Sequence, residues 1–175
     1  EDFLFSTSRQ SLDAIGASLR KLDGHLCFYC GGRLDSADVD HFVPFSMYPR
    51  DLAHNFVLAH PKCNRSKSDA LAAYVHLERW LERLDTHRED IAQIGRDVGI
   101  PSAPEVTGNV DLWAYEGAVA ADVKAWEAPH VFETVNGKYL RLFERALPQL
   151  VKGEVDKNNS GVYEESSWWP QHFQG

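Results

Sequence analysis

Two short clips decide the fold of this chain: CFYC at residues 27–30 and HPKC at residues 60–63. In each clip, two side chains that bind soft metals are separated by two residues, so one turn can aim both donors at a single point. Together they supply a complete tetrahedral zinc set, Cys27, Cys30, His60 and Cys63. A closed set of four ligands leaves no position for a substrate, so we expect the zinc to be structural. The alternative is a buried trio of cysteines beside a surface histidine.

The composition excludes several classes of protein. The 175 residues are 43% hydrophobic and 25% charged, which is ordinary for a globular domain and excludes a collagen-like fibre. The longest apolar run, residues 70–75, is far shorter than the ~20 residues that cross a bilayer, so we expect no membrane association. An odd count of 3 cysteines, with no secretory signal, excludes a disulfide-stapled miniprotein and favours a reducing, cytoplasmic compartment.

The charge is unevenly distributed. The net charge is −8, which is unfavourable for binding a polyanion. Only the stretch 41–70 is positive, because it contains Arg50, Lys62, Arg65 and Lys67. We therefore expect any contact with nucleic acid to be centred there.

Hydrophobic periodicity predicts a chain with little β-structure and a helical remainder. The predicted elements are a helix at 6–24, a tight turn at 25–32, strands at 39–45 and 55–59, and helical structure from Pro61, followed by helices at 89–98, 111–126 and 138–147. A loop rich in proline and glycine is expected at 99–108.

The 29 residues between the clips contain a second motif, and a third motif follows the second clip. Residues 39–44 read VDHFVP, Asn55 follows, and residues 64–67 read NRSK. This ordered set resembles the HNH (ββα-metal) endonucleases, in particular the zinc-braced subgroup found in bacterial restriction, phage and defence proteins. The resemblance covers residues 20–75.

The resemblance implies a role for each motif residue. Asp40 and Asn64 would be ligands of one catalytic divalent cation, Mg²⁺ or Mn²⁺, and His41 would be the general base. Asn55 would hold the loop that carries His41 through hydrogen bonds to its backbone. The implied activity is hydrolysis of DNA phosphodiester bonds, leaving a 5′-phosphate and a 3′-hydroxyl.

The residue types suit this chemistry without the family. Histidine, with an ordinary pKa of about 6.5, deprotonates water near neutral pH, and carboxylate and amide oxygens suit Mg²⁺. Arg65 and Lys67, at the start of a predicted helix, are placed to hold flanking phosphates. Neighbouring residues of a strand point to opposite faces, so Asp40 and His41 need a bulge or twist to share one site.

More ordinary roles stay open for each residue. His41 could be a structural histidine, and Asp40 a capping or salt-bridged residue. Asn55 and Asn64 could be turn residues or a helix N-cap. Arg65 and Lys67 could lie on a solvated helix face.

We therefore predict an α+β protein, with a small ββα-metal zinc-knuckle core embedded in a mainly helical domain. The nuclease core is expected at 20–75, a helical lobe and C-terminal tail at 76–175, and a helix packed on the core within 1–19. The expected function is a metal-dependent DNA endonuclease. The alternatives are a non-catalytic zinc module that binds protein or nucleic acid, and a redox protein using Cys27 and Cys30. The expected partners are DNA and either an additional N-terminal domain, which would read the DNA sequence, or a homodimer partner.

Overall fold

The computed structural model describes residues 9–147, which contain six α-helices and two small sheets. In chain order the elements are α1 (Arg9–Leu22), β1 (Asp38–His41), a 3₁₀ turn (Ala53–Asn55), β2 (Phe56–Ala59), α2 (Pro61–Lys67), α3 (Tyr74–Thr86), α4 (Arg88–Val98), α5 (Pro104–Ala120), β3 (Lys124–Ala128), β4 (Val131–Thr134) and α6 (Gly137–Ala146). The predicted α+β class is confirmed. The first residues of the predicted N-terminal helix and the predicted C-terminal tail lie outside the described part of the chain.

The centre of the fold is a ββα unit made of β1, β2 and α2. The two strands are antiparallel, with Asp38 opposite Ala59 and His41 opposite Phe56. Helix α2 begins directly after β2, with Pro61 in its first turn, where the missing N–H of proline costs nothing. The helix packs against both strands, so residues of β1 and α2 face each other.

Helix α1 also packs against this hairpin. It is amphipathic, and its apolar residues Ile15 and Leu19 are fully buried. Gly16 lets the helix come close to β1, because a Cβ atom at this position would lie 3.1 Å from Val39 Cγ2.

One cluster of buried side chains extends through the described residues, from Ile15 in α1 to Leu147 after α6. Its largest members include Trp80 and Trp126, which come from the part of the chain beyond residue 75. The cluster crosses the predicted boundary at 75/76, and that division into two parts stays a prediction. None of the described helices is both long and apolar enough to span a membrane.

The predicted helix at 111–126 is wrong at both ends. Helix α5 begins seven residues earlier, at Pro104, inside the predicted loop, since proline is well tolerated in a first turn. It ends at Ala120, and Asp122 has a positive φ of 54°. Trp126 lies in β3 instead, where its backbone bonds to Leu71 and Ala73 and its side chain is buried. These long-range contacts override the local helical pattern.

Candidate metal centre and active site

The two clips meet in space. One donor atom from each of Cys27, Cys30, His60 and Cys63 lies within 4.8 Å of all the others, and this is the only such group of three or more His, Cys, Asp or Glu side chains among residues 9–147. The first clip lies in a tight turn in which Gly31 N–H donates to Cys27 O at 2.9 Å. Gly31 has φ of +70°, a conformation that favours glycine.

The hydrogen bonds of His60 orient its ring toward the thiols. Its Nε2 lies 2.9 Å from Arg33 O, and its Nδ1 lies 3.3 Å from Cys30 Sγ. A backbone carbonyl can only accept, so Nε2 carries the proton and the Nδ1 lone pair points into the cluster. Histidines that bind metals usually have such an outer partner.

The electrostatics of the cluster favour a bound cation. Burial and the nearby Cys27 and Cys30 thiols raise the pKa of Cys63 to about 12. The bond to Arg33 O raises the pKa of His60. Thiolates this close repel one another unless a cation neutralises them, and three sulfurs with one imidazole nitrogen form a set that zinc prefers. The cluster therefore fits a zinc ion that braces the fold.

Asp40 lies in β1, and its side chain is held by two buried partners. The Tyr29 hydroxyl donates to Asp40 Oδ2 at 2.5 Å, and Lys67 Nζ lies 3.2 Å from the same oxygen. Asp40 is 8% exposed and Lys67 is 1% exposed. Burial lowers the pKa of Lys67, and the charge of Asp40 partly opposes this shift.

The position of Lys67 does not suit the predicted phosphate contact. Its ammonium also donates to His41 O at 3.0 Å, so its polar contacts lie inside the protein. Position 67 is three residues after Asn64, and this spacing turns it toward β1 rather than toward solvent. Arg65, by contrast, is exposed, and its contact with phosphate stays a prediction.

Asn64 lies one helical turn before Lys67 and contacts a residue that the sequence analysis did not consider. Its Nδ2 donates to Asp38 Oδ2 at 3.1 Å. Both residues line an open cleft of about 450 Å³ between β1 and α1. Because Nδ2 is engaged by Asp38, the Oδ1 of Asn64 is the atom available to a cation.

His41 has a different set of neighbours from Asp40. Its Nε2 lies 2.8 Å from Asp51 Oδ1, and its ring packs against Phe45 and Phe56, with centroid distances of 5.3 Å and 4.8 Å. The register of β1 and β2 is regular from Asp38 to His41, so the expected bulge is not there. Normal strand alternation separates the two side chains.

Asn55 is buried and binds the backbone of the loop that follows His41. Its Oδ1 accepts from Val43 N–H at 2.9 Å, and its Nδ2 donates to Val43 O at 3.0 Å. Phe42 N–H also donates to Asn55 O at 2.8 Å. These bonds are of the kind that the resemblance implies for Asn55, whose part in catalysis stays a prediction.

Comparison with family models gives a match over residues 27–73 to the HNH endonuclease family. We call residues 27–73, which match this family model, the HNH segment. The HNH segment covers less than half of the 175 residues. It contains the four residues of the Cys₃His cluster and every predicted site residue. Comparisons with curated proteins and with solved structures gave no match.

Three residues of the HNH segment that contact the predicted site were missed: Tyr29, Asp38 and Asp51. Asp38 had a usable signal, since two residues of separation on a strand place it on the same face as Asp40. Tyr29 and Asp51 reach the site from loops, where no sequence periodicity predicts the direction of a side chain.

Proposed function

We propose that the chain is a metal-dependent DNA endonuclease in which a zinc ion at the Cys₃His cluster braces the HNH segment. The proposal rests on the match of residues 27–73 to that family. It also rests on the position of the motif residues Asp40, His41, Asn55 and Asn64, which all lie in or beside one ββα unit. The motifs resemble those of zinc-braced HNH endonucleases, so the proposed setting is bacterial restriction, defence or phage biology, in a reducing cytoplasm. A domain before Glu1, or a second copy of the chain, is the proposed source of any sequence recognition.

Asp40 and Asn64 are the proposed ligands of a catalytic Mg²⁺ or Mn²⁺ ion. Their oxygens are hard donors that suit such cations. Lys67 Nζ lies 3.2 Å from Asp40 Oδ2, so this side chain already has a positively charged partner at the proposed cation position. When bound, the cation relieves negative charge at the phosphate and the departing oxygen.

The protein's own groups carry the proton. His41 accepts a proton from the attacking water, whose oxygen forms the new bond to phosphorus while the bond from phosphorus to the 3′ oxygen breaks and the 3′ oxygen takes a proton from solvent. Strand alternation turns His41 and Asp40 to different faces of β1, so this step requires a phosphate that reaches both side chains. A positioned base of this kind contributes about 10²–10⁴-fold to the rate. The bonds of Asn55 to Val43 fix the backbone two residues from His41, which limits the movement of the imidazole.

A cleavage assay on supercoiled plasmid tests the proposal. We expect nicked or linear product with Mg²⁺ or Mn²⁺, no product with chelator, and no product from His41→Ala. The matched control is His87→Ala, because His87 is a partly exposed histidine outside the HNH segment. Zinc content and circular dichroism should be the same for all three proteins.

The non-catalytic zinc module is the outcome if the wild type binds DNA or a protein partner but cleaves no plasmid with either metal. Equal cleavage by wild type and His41→Ala would contradict the proposed mechanism.

A further inference from the structure

A carboxylate outside the motif set contacts the proposed base directly. Asp51 Oδ1 lies 2.8 Å from His41 Nε2, and the two side chains are 10% and 21% exposed. Asp51 lies ten residues after His41, in the loop between β1 and the 3₁₀ turn. This contact is short and largely shielded from water, so it is more than a chance pairing on the surface.

The loop that carries Asp51 is fixed near both ends. At its start, Asn55 bonds to both polar atoms of the Val43 backbone. At its end, Ala53 N–H donates to Pro101 O at 2.9 Å. The carboxylate is therefore presented from an anchored backbone, which a positioning role requires.

The remaining contacts of His41 leave one nitrogen for chemistry. Phe45 and Phe56 pack against the imidazole, and Asp51 occupies Nε2. No hydrogen-bond partner of Nδ1 occurs among the residues that the structure describes. A water molecule that loses its proton to His41 therefore meets Nδ1.

We infer that Asp51 is a positioning residue that holds neutral His41 with its proton on Nε2 and its lone pair on Nδ1. An ionised carboxylate can only accept, so it selects this tautomer. When Nδ1 takes a proton from water, Asp51 stays ionised and stabilises the imidazolium that forms. This inference rests on the proposed function for its catalytic consequence, but the tautomer itself does not.

The first test is a spectroscopic one that needs neither metal nor DNA. In protein labelled with ¹⁵N-histidine, at a pH where the imidazole is neutral, long-range ¹H–¹⁵N spectra report which nitrogen carries the proton. We expect Nε2–H for His41 in the wild type and in the exposed control Asp85→Asn. Asp51→Asn should reverse or mix the tautomers, because an amide can turn its N–H toward Nε2.

The second test is kinetic. Asp51→Asn should lower the single-turnover cleavage rate by about 10–100-fold, while the concentration of DNA at half-maximal rate changes by less than about twofold. Asp51→Glu, which keeps a carboxylate, should recover part of the rate.

Two results would overturn the inference: an Nδ1–H tautomer in the wild type, or an unchanged tautomer and rate in Asp51→Asn. The first requires no substitution, so a folding defect in a variant does not affect it. A wild type that cleaves no DNA but has the Nε2–H tautomer would remove the proposed function and leave the positioning contact supported.

Discussion

Replacing Lys67 by methionine should destabilise the fold more than replacing any other polar residue of α2. The substitution keeps most of the side-chain volume but removes an ammonium that lies 3.2 Å from Asp40 Oδ2 and 3.0 Å from His41 O. Asp40 is 8% exposed, so its charge would be left in the protein interior, where residues 9–147 offer its side chain only the Tyr29 hydroxyl as partner. Removing one member of a buried ion pair costs about 3–5 kcal/mol of unfolding free energy.

A double-mutant cycle separates the lost ion pair from other effects of the substitution. Asp40→Asn keeps an acceptor for Tyr29 and removes the charge, so the double variant Asp40→Asn/Lys67→Met leaves no buried ion unpaired. We expect this double variant to be more stable than Lys67→Met alone, with a coupling of about 1–3 kcal/mol between the two sites. Lys62→Met is the matched control, since Lys62 is exposed on the same helix, and its effect should stay within about 0.5 kcal/mol.

The assay is urea unfolding of the zinc-loaded proteins, followed by circular dichroism at pH 7. A cost below about 1 kcal/mol for Lys67→Met, or simple additivity with Asp40→Asn, would contradict this prediction. Either result would mean that the ammonium and carboxylate do not depend on each other inside the protein.

Three further predictions concern the rest of the molecule. Elemental analysis should find one zinc per chain, and Cys63→Ala should lose the metal and lower the melting temperature; full stability without zinc would contradict the bracing role. Burial lowers the pKa of His54 and of His76 from 6.5, so unfolding free energy should fall below about pH 6.5, by up to about 1.4 kcal/mol per pH unit and histidine. Replacing His54 by Gln should reduce this dependence of the unfolding free energy on pH at equal zinc content. An unchanged dependence would contradict the role given to His54. Gly95→Ala should cost about 1–3 kcal/mol in urea unfolding, since its Cβ would lie 2.9 Å from Ala53 Cβ; a neutral effect would contradict this close packing.

The sequence was most informative where its signal was local. A C-x-x-C or H-x-x-C clip predicts its own geometry, and the motif between the clips predicted the order β1, β2, α2. The hairpin of β3 and β4 was missed because Trp126 fits a helical stripe, and only its bonds to Leu71 and Ala73 reveal a strand.

Lys67 and Asp51 illustrate why the site could be predicted only in part. The sequence placed Lys67 near a helix start, whereas it is the last residue of α2. A lysine in a short helix is typical of a solvated surface, and the burial of Lys67 depends on Asp40, which lies 27 residues earlier. Asp51 reaches His41 through an irregular loop, and sequence spacing does not predict such a path. The sequence therefore predicted which residues form the site, whereas their hydrogen-bond and ion-pair partners could be identified only from the folded structure.

The role of His41 as the base in DNA hydrolysis is tested by the single-turnover rate of DNA cleavage by wild type and His41→Ala, with saturating Mn²⁺ and matched zinc content. We expect cleavage by the wild type, leaving 5′-phosphate ends, and a rate about 10²–10⁴-fold lower for His41→Ala. Rates that agree within a factor of about two, with His87→Ala as reference, would contradict it.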